Sequence, residues 1–112
     1  MFKSVRSHTL LFVIAVMGAS LAAMAQSTDD VKKAFKEAND KMHQDMMMEP
    51  SGDADKDFAM MMIPHHEGAI AMAKAELQYG KDPTLRAMAE KIIAAQEAEI
   101  AELKKWQQEH GM

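Results

Sequence analysis

Residues 60–83 read MMMIPHHEGAIAMAKAELQYGKDP, and the reading of this stretch decides the fold. At about 100° per residue, Met61, His65, Gly68 and Met72 fall on one narrow strip. Met62, His66, Ala69 and Ala73 fall on the strip beside it, next to an aliphatic side made by Ile63, Ile70 and Leu77. The pattern stops at Gly80-Lys81-Asp82-Pro83. Glycine closes one helix there, aspartate caps the next, and proline fits its first turn, where a missing N–H costs nothing.

Working outward, the acidic segment Asp53 to Asp57 suits the positive end of a second helix that runs to Tyr79. Pro64 lies inside that helix; it deprives the Met60 carbonyl of its partner, so a kink is predicted there. Upstream, Glu49-Pro50-Ser51-Gly52 is a breaker cluster. Val31, Phe35, Ala38, Met42 and Met46 precede it at helical spacing and predict helix one over residues 29–48, with cap oxygens from Thr28, Asp29 and Asp30. Downstream, Leu85, Ala89, Ile92, Gln96, Leu103 and Trp106 form the buried stripe of a third helix from Pro83 to Glu109. No strand pattern competes. The expected fold is all-α: a small antiparallel helical bundle of three long helices, the second kinked at Pro64. Such a bundle is thin, and a homo-oligomer would complete a four-helix or larger core.

The N-terminus sets the expected compartment. Lys3 and Arg6 precede the apolar run Leu10 to Met17, and Ala23-Met24-Ala25 ends the segment. That order is a secretory signal peptide over residues 1–25, leaving a domain over residues 26–112 that is periplasmic or secreted. The apolar run is short for a bilayer span, so no membrane association is expected after cleavage. The whole chain carries a net charge of −4, and loss of Lys3 and Arg6 makes the remainder more acidic. Nucleic acid is therefore not an expected partner.

The chain has 13 Met, 5 His and no Cys. An exported domain without cysteine cannot be held by disulfides, and rests on helix packing, a metal or a second subunit. Thioether sulfur is a soft donor and imidazole a versatile one, so a Met/His mixture suits Cu(I), with Cu(II) accessible through histidine nitrogen. Unlike thiols, thioethers do not form disulfides in an oxidising compartment. The proposed centre is His65 or His66 with Met61, Met62 and Met72. Secondary candidates are Met42, His43, Met46 and Met47 on helix one, and His110 and Met112 at the C-terminus. His110 shares a side of helix three with Leu103 and Trp106 and is expected to point into the bundle. Antiparallel packing would bring the start of helix two to the C-terminal ends of its neighbours, where the other donors lie.

A methionine stripe also serves as flexible core packing, which keeps a non-metal reading open: a Met-lined groove that receives a partner helix or peptide. Enzymatic chemistry finds little support. Ferritin-type di-iron pairs need Glu three residues before His, and His66-Glu67-Gly68-Ala69-Ile70 does not complete H-E-x-x-H. No triad-like serine and no phosphate-binding glycine loop occur. A small copper or iron oxidase would need an open catalytic site that the spacing does not supply. The acidic runs Asp53-Asp55-Asp57 and Glu97-Glu99-Glu102 read as solvated helix faces.

From Phe58 to Trp106, and above all in M-M-I-P-H-H-x-G-A-I-x-M-A, the sequence resembles the family carrying domain of unknown function 305, which includes CopM-like copper-binding proteins. The resemblance implies a ferritin-like helical bundle, export, and a part in periplasmic copper binding and resistance. Carried over by position, it points to Met61, Met62, His65, His66 and Met72 as ligands. Helix one and His110-Gly111-Met112 lie outside the strongest match. The expectation is a non-enzymatic copper-binding protein for buffering, resistance or handover to a copper-transport or efflux partner.

Overall fold

In the computed structural model, residues 9–112 have described backbone and residues 28–112 described side chains. Three helices follow one another: α1 (Thr9–Met46), α2 (Ala54–Tyr79) and α3 (Pro83–Glu109), with no strand among the described residues. The fold is an all-α helical bundle, as the periodicity requires. None of the described helices is long and apolar enough to cross a membrane. The chain divides into two compact units, Met1–Asp30 and Val31–Met112. The first is helical from Thr9, and the expected leader over residues 1–25 lies outside the residues with described side chains.

Helix α1 departs from expectation at both ends. It passes through Thr28-Asp29-Asp30 without starting there, so those residues are interior and not caps. It also stops at Met46 rather than at residue 48. Gly52 then turns the chain with φ of 90°, a conformation that L side chains rarely adopt.

The start of α2 is built from its acidic segment. The Asp53 carboxylate accepts from the Asp55 and Lys56 N–H groups. Asp57 reaches back to the loop, accepting from Ser51 N–H at 2.8 Å, Ser51 Oγ–H at 2.7 Å and Gly52 N–H at 3.1 Å. These bonds, led by the Ser51 N–H, hold the Asp57 carboxyl below the usual carboxylate range. Asp57 is thus a loop staple rather than part of a merely solvated face. Helix α2 remains one element through Pro64.

Asp82 caps α3 by accepting from the Leu85 N–H, with Pro83 at the helix start. Gly80 is the C-cap of α2 in an extended conformation, not the left-handed one common for a terminal glycine. Instead, the Arg86 guanidinium donates to the Leu77 and Gly80 carbonyls and ties the α2 end to α3.

The buried core is made of small residues: Ala38, Ala59, Ala73, Ala75 and Ala89, with Ile70. Alanine lets helices approach closely but contributes little apolar area per residue. The α3 stripe lies against α2 along most of its length, though Leu85 is 51% exposed, against the expectation that it is buried.

Candidate metal centre

Helix α2 has two contact faces. Met62, His66, Ala69 and Ala73 face α3, where they line clefts shared with Glu99, Leu103 and Trp106 at one end and Met88, Ala89 and Ile92 at the other. Pro64, Gly68 and Ala71 face α1, meeting Ala38, Lys41, Met42 and Asp45. Gly68 is required at this crossing. A Cβ there would lie 2.7 Å from Met42 Sδ and 2.9 Å from Met42 Cβ. Met42 is therefore packed into the helix crossing and is not displayed as a free donor.

The two histidines part company across these faces. His66 is buried and His65 is exposed, their ring centroids 6.2 Å apart. His66 Nε2 lies 2.5 Å from Glu99 Oε2. A carboxylate only accepts, so Nε2 carries the hydrogen and donates it. The other ring nitrogen, Nδ1, is buried and has no hydrogen-bond partner. Such an orphaned acceptor is costly unless something supplies a bond to it. Met62 stands one turn earlier, and both residues line a cleft of 530 Å³ with Phe58, Leu103 and Trp106.

Met61, His65 and Met72 form the strip between the two contact faces, with Met72 at the edge of the α3 cleft. The Met42–Gly68 crossing also sets register. Met46 stands one turn further along α1, level with Pro64 one turn back along antiparallel α2. Lys41 and Glu67 interact on one flank of this crossing; the Asp45 carboxylate bonded to Lys41, with Glu67 adding to it, holds that ammonium above its usual pKa. By helical periodicity Met46 lies on the opposite flank, the one that carries Met61 and His65. Met46 is half-buried, whereas His43 is exposed and Met47 is 85% exposed beyond the helix end.

The C-terminal candidates do not point inward. His110 is exposed at the α3 C-cap, contrary to the expectation that it faces the bundle. Its ring stacks on Trp106 with centroids 4.1 Å apart, and Nδ1–H donates to the Trp106 carbonyl at 2.7 Å. Capping by its own neighbours accounts for that geometry. Met112 is 47% exposed.

Of the candidate donors, Met62 and His66 thus line one α2–α3 cleft and Met72 lines the other, while Met61 and Met46 are half-buried and His65 is exposed. Among the described residues no three His, Cys, Asp or Glu side chains converge. The residues fit a soft ion on two grounds: the orphaned His66 nitrogen and the Met62 thioether that lines the same cleft. Sequence reasoning missed two residues. Met88 shares a cleft with Met72. Glu99 holds His66 from a position 33 residues away, which no local pattern signals.

A mimivirus protein described as uncharacterized (Acanthamoeba polyphaga mimivirus) is 43% identical over 49 residues, covering 44% of this chain and 32% of that protein. The match thus spans about a third of the relative's length. The family described as domain of unknown function (DUF305) matches residues 13–107. With nearly the whole described helical region inside that match, the chain belongs to the DUF305 family.

Proposed function

We propose that this protein is an exported, non-enzymatic copper-binding protein of the CopM-like kind. It takes up Cu(I) through methionine sulfur and histidine nitrogen, and Cu(II) through histidine, for buffering, resistance or handover to a copper-transport or efflux partner. The observation that carries this reading is the unpartnered, buried Nδ1 of His66, a residue that lines the same cleft as Met62, in a chain without thiols. Cu(I) accepts low coordination numbers and soft donors, and the His66 imidazole with the Met62 thioether offers two such donors. A Cu(I) competition titration with a chromophoric chelator, under reductant, tests it. The protein should compete for Cu(I), and replacing His65 and His66 together by Ala should weaken binding while helicity is kept. Affinity unchanged in the double variant would sink the histidine assignment.

A second reading has its own support. Phe58, Leu85 and Met88 are each more than half exposed beside the clefts between α2 and α3. Such apolar surface suits a groove for a partner helix or peptide. That reading predicts indifference to copper and tolerance of Met-to-Leu changes.

A further inference from the structure

The acidic run Glu97-Glu99-Glu102 looks like solvated surface, yet one member of it is aimed inward. Glu99 is itself more than half exposed and sits on α3, while its Oε2 meets the buried Nε2 of His66 on α2. Metal-binding histidines almost always donate their second ring N–H to a carboxylate, carbonyl or water. That bond fixes the tautomer and the ring plane and makes the free nitrogen more basic. Here the partner nitrogen is engaged and the other is left bare. The neutral imidazole has one donor and one acceptor nitrogen, so securing the hydrogen on Nε2 commits Nδ1 to be the electron-pair donor.

We infer that Glu99 is a positioning residue: it locks His66 as the Nε2–H tautomer and leaves Nδ1, in a residue that shares its cleft with Met62, as the nitrogen that takes Cu(I). The choice of metal rests on the copper reading above, while the tautomer rests on geometry alone. Glu99 itself touches no ion in this scheme. It acts across the α2–α3 packing, so a copper site on one helix depends on a carboxylate of the next.

The test uses the full chain and two variants, E99A and E99Q. Alanine removes the acceptor at an exposed helical position where it is a good helix former, so folding should persist and is checked by far-UV circular dichroism. Glutamine keeps a carbonyl acceptor without the charge. Nitrogen-15 NMR of the metal-free protein should show His66 as the Nε2–H tautomer, retained in E99Q and lost to a mixture in E99A. Cu(I) competition should show roughly a 10- to 100-fold weaker affinity in E99A, with E99Q between the two. An Nδ1–H tautomer in the native protein overturns the inference, and so does native Cu(I) affinity in E99A. If the native protein takes no Cu(I) at all, the copper reading fails, and the tautomer in native protein and E99A still decides whether Glu99 commands His66.

Discussion

His65 and His66 are neighbours in sequence and opposites in environment. One ring is exposed and the other is buried against Glu99. Their single alanine variants should therefore differ. His66→Ala removes a buried ring and its charge-assisted hydrogen bond, and should cost about 1–3 kcal/mol of stability. His65→Ala should stay within about 0.5 kcal/mol of the native protein, as exposed substitutions do. Urea denaturation of both measures this, and equal costs would contradict the burial pattern. Asp57 gives a pH-dependent counterpart. Its folded-state pKa is held below the ordinary 3.8 by Ser51 and Gly52, so it adds stability at neutral pH that is lost as pH falls through the folded value. Native protein should thus melt above Asp57→Asn at neutral pH, and the gap should close in acid. A gap that widens in acid would contradict the sign. The helix faces carrying Met61, Met62, His65, His66 and Met72 were legible because helical spacing is local. Glu99 was not, since its role appears only once α3 is laid against α2. His110 misled for a related reason: the end of a helix can satisfy its polar groups against its own last turn, as His110 does with Trp106.

At the scale of the element, the α1–α2 crossing is set by one glycine. Gly68→Ala would gain about 1 kcal/mol of helix propensity, yet its new methyl meets Met42 Sδ, Cγ and Cβ, all inside 3.0 Å. Overpacking of this kind costs about 1–3 kcal/mol, because the clash includes an atom fixed to the α1 backbone. Gly68→Ala should therefore destabilise the native chain, and less so a Met42→Ala chain, which loses the Cγ and Sδ contacts and keeps the one to Cβ. A double-mutant cycle by chemical denaturation checks this difference, and additive effects would mean that Met42 does not set the crossing. The helix boundaries show what sequence can and cannot deliver at this scale. Asp53, Asp82 and Pro83 act as expected because capping is decided within a few residues. The start of α1 was misplaced because Thr28-Asp29-Asp30 can cap a helix or lie within one. Their polar side chains do not by themselves break a helix that already extends upstream. Arg86 closes the end of α2 by reaching across the turn, a bond between elements that glycine alone did not announce.

For the whole molecule, the small-residue core and the proposed copper site bear on one another. Among the described residues no large side chain is fully buried, and five of the six buried apolar residues are alanine. A bundle with so little burial and no disulfide gains from any ligand that binds only the folded state. At free Cu(I) 100-fold above its dissociation constant, the gain is about 2.7 kcal/mol, or roughly a 10–20 °C rise in melting temperature for a domain of this size. Scanning calorimetry under reductant, with and without Cu(I), should show that rise in the native protein. Replacing Met61, Met62 and Met72 together by Leu nearly conserves volume, so the metal-free melting temperature should change little. The Cu(I)-dependent rise, however, should largely vanish, because leucine keeps the packing and removes the sulfur. The groove reading predicts the reverse pattern: no rise with Cu(I) in either protein, and stability indifferent to the exchange. A rise that survives in the leucine variant would leave copper bound but move the ligands away from the α2 methionines, to the imidazoles and the methionines outside α2.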